Sequence, residues 1–573
     1  MKKNFYSFAL ASLLMLSANP VLAKDYYLAT GGNDANNGET AATALATLNA
    51  AVAKLQAGDV LHVSGMIKVN ETAAFAHKKG DGITIVGENK DEDGFDGQNA
   101  ALIINPNDSK VIFKNLTFQN GYNNLEDKNK GGAAIWGEAS DFEVDNCMFL
   151  NNIANRGFLP GGAIGLLKGN LKVTNSFFSE NTARNGGAVY AKGATKVELE
   201  SNRFVGNIAF VADGQIPTQG DATDGGALWL RDNSENIIRY CEFEGNTAHR
   251  AGGAISMDGS NGNTTIEANA FINNWSGGRD EAFTPGGDIN DNGRFKRAFA
   301  GAIQLHVSAA QKDSKFNFFS NTFAQNNTVS SGGAVNIGGN NANVQLNFVN
   351  NTVTDNTTLS TIGAGAGLYL CGDTEGKNFG INIVNCILEG NKSVTNAGQM
   401  SDLVLGSTKA NIKASVIGNI RKYDDLKDNY TIDEVSKVQT TPGKNNELTV
   451  AFGELEDNCF PLPADNTDVT TMGNLVEAKL LGLTVDQKGQ EWTKPYIGAV
   501  QLVAGDEIPE TPTGIEGVAT DAAVSNGIVN TYIYNVAGQL VSNAKTVAGL
   551  AKGIYVVKTV AGKNVKTRKV YVK

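Results

Sequence analysis

What most limits the folds open to this chain is a recurring pair of short motifs: Gly-Gly-Ala before an apolar residue, then Phe-x-x-Asn about 18 residues later. The first occurs at Gly131-Gly132-Ala133, Gly161-Gly162-Ala163, Gly186-Gly187-Ala188, Gly225-Gly226-Ala227, Gly252-Gly253-Ala254 and Gly332-Gly333-Ala334. Ala300-Gly301-Ala302 and Ala364-Gly365-Ala366 are variants of it. The second occurs at Phe149/Asn152, Phe178/Asn181, Phe204/Asn207, Phe243/Asn246, Phe271/Asn274 and Phe323/Asn326, with Val353/Asn356 and Leu388/Asn391 as variants. Self-similarity of this kind marks a stacked architecture in which each unit is one turn.

The units hold short β-branched and aromatic runs with Gly and Asn at the corners, which leaves no room for the helix of an α/β repeat. A parallel β-helix remains. Gly-Gly relieves crowding at a corner, Ala fits where the backbone enters a narrow core, and each Phe stacks on the Phe of the next coil. The Asn column suits a corner because Asn tolerates left-handed backbone and its amide can bond the coils above and below.

With 66 Gly but only 11 Pro in 573 residues, and 41% hydrophobic residues, the chain reads as a folded β protein. The net charge of −11 is unevenly placed: residues 514–573 carry seven Lys and one Arg against Glu516 and Asp521. An acidic body argues against a nucleic-acid partner. Lys2-Lys3, the apolar run from Phe8 to Leu16 and Val21-Leu22-Ala23 read as a signal peptide over residues 1–23. No later run reaches the ~18 apolar residues of a membrane span. The expected location is therefore secreted or on the outer cell surface.

In the repeat register Cys147, Cys241 and Cys386 fall two residues before the aromatic column, where other coils have Ser176, Asn202, Asn269, Asn321 and Asn351. Cys147 and Cys241 are then three coils apart, about 14 Å, beyond the ~7 Å reach of a disulfide. They are expected as buried free thiols; Cys371 and Cys459 are left unassigned. At the N-terminus, Leu45, Leu48, Val52 and Leu55 share one face of a predicted helix, expected to cap the open end of the stack. Leu61 to Val63, Ile83 to Val86, Ala101 to Ile104 and Val111 to Phe113 read as first coils, with Phe118 opening the aromatic column. Asp91 to Gly97 has the composition of a calcium loop but not its spacing, and reads as a surface turn.

Tandem Gly-Gly-Ala-Ile and Phe-x-x-Asn repeats resemble those of the pectin-lyase-like β-helix proteins, which include polymorphic outer-membrane adhesins. The Asp486-Gln487-Lys488-Gly489 and Ile497-Gly498-Ala499 strings are similar to the segment that closes many such rods. The β-helix with its cap is thus expected over 24–400, terminal coils and closing segment over 401–503, and a Pro-containing linker over 504–513. Beyond it, Tyr534-Asn535-Val536-Ala537-Gly538-Gln539 and Gly553-Ile554-Tyr555-Val556-Val557-Lys558, ending at Lys573, resemble the C-terminal sorting domain of type IX secretion cargo. That resemblance implies a β-sandwich over 514–573, with Tyr534, Gly538, Gln539, Gly553, Tyr555 and Lys573 read by outer-membrane secretion machinery. The expected fold class is all-β, a right-handed parallel β-helix with an N-terminal helical cap and a small C-terminal β-sandwich.

The return from the Asn column to the next Gly takes 5 residues after Asn181 and 6 after Asn246, but 18 after Asn207 and 27 after Asn274. Residues 208–224 and 275–299 therefore leave at one corner, about 10 Å apart, flanking His249-Arg250. They carry Asp213, Asp221 and Asp224 on one side and Arg279, Asp280, Glu281, Asp288, Asp291 and Arg294 on the other. Such a cleft could bind a polysaccharide or a host or cell-surface glycan. It could also act as a lyase or hydrolase, with His249, Arg250, Asp280 and Glu281 as candidate catalytic groups and calcium as the cation a lyase would use. The Asp pairs and Gly-His-Gly string of β-helix polygalacturonases are absent, as is the Arg-x-Pro-x-x-Arg string of pectate lyases. His62, His77, His249 and His306 do not cluster in sequence, and His62 and His306 read as structural. The favoured reading is an adhesin or glycan-binding surface protein that needs no cofactor.

Overall fold

The computed structural model describes residues 23–75, 82–106, 108–123, 131–154, 159–210, 223–277, 298–308, 313–339, 344–359, 365–370, 379–393, 402–405, 409–422, 430–438, parts of 450–503, and the strands of the C-terminal segment. One coil runs through Leu228–Arg231, Glu235–Arg239, Glu242–Glu244 and Thr247–Ala248. The next, Ile255–Asp258, Asn263–Glu267, Ala270–Ile272 and Trp275–Ser276, lies on it in parallel register. Repetition of this unit builds sheets of 24, 13 and 9 strands, a parallel β-helix.

Strand alternation sends every second side chain inward. Phe118, Phe149, Phe178, Phe204, Phe243, Phe271 and Phe323 form one column with ring centroids 4.6–5.0 Å apart. The column starts a coil earlier than Phe118, because Phe95 pairs with it at 5.4 Å. Of the stretch Asp91 to Gly97 only Asp91 and Glu92 are an exposed turn: Gly94–Asp96 is a strand, Phe95 is buried, and the buried Asp93 carboxylate accepts from the backbone N–H groups of Gly65, Glu88 and Asn89.

The Asn column is a continuous amide ladder. Each Oδ1 accepts from the backbone N–H and the Nδ2 of the previous Asn, and each Nδ2 also donates to a carbonyl beside the aromatic column. Asn207 Nδ2 to Asn246 Oδ1 and Asn246 Nδ2 to Phe204 O are both 2.9 Å. The left-handed residue is not the ladder Asn but the one before it, Asn151, Glu180, Gly206, Gly245, Asn273 or Gln325. A second ladder runs at the preceding corner through Asn269, Asn321 and Asn351. Cys147, Cys241 and Cys386 stand in its line as buried free thiols. Their Sγ–H groups donate to Phe113 O, Leu199 O and Phe348 O, as the Nδ2 of Asn269 does to Ile238 O. Burial pushes each thiol up to about 12, so none is a nucleophile. Cys459 is likewise buried, and Cys371 lies outside the described residues.

At the Gly-Gly corner the first glycine has φ +66° in Gly252, and a Cβ on Gly253 would sit 2.1 Å from the carbonyl oxygen of Gly301. In the first such coil the motif is Gly132-Ala133-Ala134-Ile135, one residue later than the sequence alignment places it. Gly132 has the positive φ, and Ile135 pairs with Ile164.

At the N-terminus the helix is Leu48–Lys54, capped by the Thr47 hydroxyl, and Leu45, Leu48, Val52 and Leu55 all enter the main core. At the other end no Asn follows Asn391 in register. Asp402 reaches in from another corner, and its Oδ1 accepts from the Asn391 backbone N–H at 2.9 Å and Nδ2 at 2.7 Å. Burial pushes the Asp402 carboxyl up to about 7, against these two bonds. Because the folded value lies above the unfolded one, the contribution to stability is full below pH 4 and is lost as pH rises to about 7. Asp402→Asn is expected to remove this slope, worth about 1.4 kcal/mol per pH unit in that window. Urea unfolding of wild type and variant at pH 4, 5.5 and 7.5 checks it, and parallel profiles would refute it.

The segment containing Asp486 to Gly489 and Ile497 to Val500, expected to close the stack, docks on the outer flank of the later coils, as far as the one before the last. Trp492 packs on Phe319, Val349 and Val384, and Ile497 on Ile387 and Val416. Asp486 holds the segment's turn by accepting from the N–H groups of Lys488, Gln490 and Gln501.

Residues 516–573 form a separate compact unit. Its described strands, Val529–Asn535, Leu540–Ser542, Gly553–Ala561 and Asn564–Val572, make one four-stranded antiparallel sheet. The second sheet that a sandwich requires is not among the described residues. Tyr534, Gly553 and Tyr555 are on these strands, with Asn535 opposite Tyr555; Gly538, Gln539 and Lys573 lie outside the described residues.

Candidate functional site

Of the residues proposed from sequence for the corner cleft, the structure describes Asp224, His249 and Arg250; Asp213, Asp221, Arg279, Asp280, Glu281, Asp288, Asp291 and Arg294 lie outside it. The corner itself is built as the intervals imply. Ile208–Ala209, Thr247–Ala248 and Trp275–Ser276 stack in register, and Asp224, Ala251 and Phe299 form successive parallel bridges. The Arg250 backbone N–H donates to Thr223 O at 3.1 Å, and its carbonyl accepts from Phe299 N–H at 2.8 Å. Both connections therefore depart and return beside the 249–250 turn.

Arg250 is committed locally. Its Nε donates to Asp224 Oδ1 at 2.8 Å and one Nη to Asp224 Oδ2, a two-point fork on a buried carboxylate. Burial pushes Asp224 up and the Arg250 fork pulls it down, and this fork holds the pair together. The His249 ring meets the edge of Phe210 with centroids 4.4 Å apart. The pair fastens the corner.

Next to this corner the sheet presents a set of side chains that the sequence reading did not single out. In each coil the fourth residue after the first Gly of the motif lies between two core residues and so points away from the core. Leu228 and Leu230 are in the main core and Trp229 is not; Ile255 and Met257 flank Ser256, and Ile303 and Leu305 flank Gln304. Register aligns Trp136, Gly165, Tyr190, Trp229, Ser256, Gln304 and Asn336 in one outward column. The Tyr190 and Trp229 rings stack at 4.9 Å and 5°. Trp136 lies over Gly165, where a Cβ would meet the indole at 2.5 Å.

A parallel column stands two residues on. Arg231 is 5.7 Å from the Trp229 ring and pairs with Asp232 at 3.3 Å and Asp258 at 3.2 Å. His306 Nδ1 lies 3.0 Å from the other Asp258 oxygen. The His306 hydrogen bond holds the Asp258 carboxyl below its ordinary value; burial opposes it and Arg231 assists. His306 is in a strand, as expected, but half-exposed and inside this cluster.

Although it faces away from the core, Trp229 is only 5% exposed and Gln304 8%. Among the described residues neither Trp229 Nε1 nor Gln304 Oε1 has a hydrogen-bond partner. A buried polar group without a partner costs ~1–3 kcal/mol, so a pair of them sets this column apart. The signal was present in the sequence as Tyr190, Trp229, Ser256, Gln304 and Asn336 at one motif position. Their adjacency needs the register between coils.

Among the described residues no group of three metal-ligating side chains converges, and no helix is long and apolar enough to cross a membrane. No curated protein matches this chain. Residues 100–283, which include Phe118 to Phe271 of the aromatic column and the 249–250 turn, match the family described as right handed beta helix region, and with the parallel register of the coils this makes the fold a right-handed parallel β-helix.

Proposed function

We propose that this protein is a glycan-binding surface protein, exported by its N-terminal signal and delivered to the cell exterior through its C-terminal unit. The observation that carries the binding reading is the outward column: stacked Tyr190 and Trp229 beside Ser256 and Gln304, shielded from solvent, with a donor and an acceptor unpaired among the described residues. Aromatic rings with a few placed polar groups are the usual composition of a small-ligand site. A hydrolase or lyase at Arg250 is disfavoured because the two-point fork to Asp224 occupies that guanidinium.

Trp229→Ala is expected to weaken binding to the preferred glycan at least tenfold, about 1.4 kcal/mol, with the thermal transition of the β-helix retained. A glycan array with the purified mature protein, followed by calorimetry on wild type and variant, tests this. Product release from any polysaccharide in the same panel would instead favour the enzyme reading, and equal binding by the variant would remove the column from the site.

A further inference from the structure

Resting on the glycan-binding reading, we infer that the nine-stranded sheet is a second binding surface. It takes an extended polysaccharide whose successive rings are flipped by half a turn, laid along the axis of the coils. Each strand of this sheet is two residues long. The second residue, such as Ala209, Ala248 or Ser276, is buried, so the first points outward. Register brings these first residues into one row: Ile153, Thr182, Ile208, Thr247, Trp275 and Asn327. Apolar and polar side chains alternate along it from coil to coil. The row lies across the 249–250 turn from Trp229.

Trp275 is its anchor. Of the four tryptophans, Trp136, Trp229 and Trp492 are buried, whereas Trp275 is partly exposed. Its Nε1–H donates to Asn273 Oδ1 at 3.0 Å, in the turn just before the strand, and Asn327 Nδ2 donates likewise to Gln325 O at 2.6 Å. Both side chains are thus held in place before a ligand arrives, which lowers the entropic cost of binding. Ile208, two coils from Trp275, is 37% exposed.

The spacing fits one class of ligand. Neighbouring coils are ~4.8 Å apart, close to the advance of one sugar ring in an extended chain, and two coils span roughly 10 Å, the length of a disaccharide. In a β-1,4-linked chain each ring is turned by half a revolution from the last, so every second ring repeats the same orientation by translation alone. Ile153, Ile208 and Trp275 recur at that interval and offer apolar contact to the carbon–hydrogen face of alternate rings. Thr182 and Asn327 offer a hydroxyl and an amide to the rings between, and the short, buried Thr247 leaves the ring between Ile208 and Trp275 unobstructed. A chain that coils, as α-1,4-linked or β-1,3-linked glucose does, turns its third ring out of line with its first and keeps only one of these contacts. Selection on this ground is by linkage geometry and holds for charged and uncharged sugars alike.

The test uses the full mature protein and two sets of defined hexasaccharides: β-1,4-linked ones of glucose, mannose and mannuronate, and differently linked ones of α-1,4-glucose, β-1,3-glucose and α-1,4-galacturonate. Affinity is measured by calorimetry, and acrylamide quenching of tryptophan fluorescence reports on Trp275, the accessible indole. The expected result is that a β-1,4-linked hexasaccharide binds at least about tenfold more tightly than any of the second set and protects the fluorescence from quenching. Trp275→Ala should weaken that binding about tenfold and Trp275→Tyr, which keeps a flat ring, by less than about threefold. Ile208→Ser should also weaken it, because it removes the contact one disaccharide away. Circular dichroism and thermal melts establish that each variant is folded. Equal or tighter binding of the second set would overturn the inference while leaving glycan binding in place. So would β-1,4 binding that leaves quenching unchanged and is indifferent to Trp275→Ala, since the ligand would then sit elsewhere. Absence of binding to either set, and to the full array, would overturn the inference together with the reading beneath it.

Discussion

Asn246→Ala is expected to destabilise the β-helix by roughly 2–6 kcal/mol, because it removes four buried hydrogen bonds at once, each worth ~0.5–1.5 kcal/mol, while Asn207 Nδ2 keeps Phe178 O and Asn274 Oδ1 keeps the backbone N–H of residue 246. Asn246 Oδ1 accepts from the Asn207 backbone N–H at 3.0 Å and from Asn207 Nδ2 at 2.9 Å. Its Nδ2 donates to Phe204 O at 2.9 Å and Asn274 Oδ1 at 3.0 Å. The side chain is completely buried, so water cannot replace these bonds without opening the coil. The loss should be read as the shift in urea midpoint, with amide exchange showing whether protection falls first in the coils around Thr247–Ala248. Asn246→Asp gives a second reading: it retains the acceptor but loses the donor and places a carboxyl in a buried site. Its deficit should therefore grow with pH, whereas that of Asn246→Ala should not. A change below 1 kcal/mol in both would mean that the ladder is not a main support of the fold.

Phe243→Ala should cost about 3–5 kcal/mol, the range for deleting a buried aromatic ring. The ring is fully buried between Phe204 and Phe271, each 4.8 Å away and nearly parallel, so both neighbours lose a stacking partner. Phe243→Leu should cost less than half as much. The column already accepts aliphatic residues at Val353 and Leu388, which are paired with each other in its line. Phe243 and Asn246 share a coil, so the double variant should fall short of the sum of the two losses. Equilibrium unfolding of the four proteins measures that shortfall, and strict additivity would contradict a coil that yields as a unit.

Much of the fold was legible because a solenoid repeats its physics in every unit. Phe and Asn columns, glycine corners and the cysteine position each recur in nearly the same context, so misreading one coil is corrected by the others. Phe95 was missed as the start of the aromatic column because its coil has neither flanking motif, and an acidic stretch disguised a core strand. The left-handed corner residues were assigned to the wrong Asn because local propensity gave no warning. Tyr240 and Ala268 adopt φ of 53° and 55° at these corners, where the neighbouring amide ladder fixes the backbone against their own preference.

The candidate site was legible only at its edge. Unequal intervals located the corner and drew attention to Arg250, yet its bond to Asp224 joins residues 26 apart and depends on the depth of the corner. Trp229, Ser256 and Gln304 are separated by 27 and 48 residues in the chain and become neighbours only when the coils stack. The flank-docked segment is further removed, since Trp492 meets Ser320 across 172 residues.

The sequence by itself determined the parallel stack and its interior. Inward positions are set by strand alternation, and the same few side-chain shapes must meet their own copies every coil. Only the tertiary structure decided which outward side chains share a column, which charges are already matched, and where the segment after the last coil lies. Those outcomes depend on register across long separations, and a linear repeat constrains the inside of the coil far more tightly than the outside.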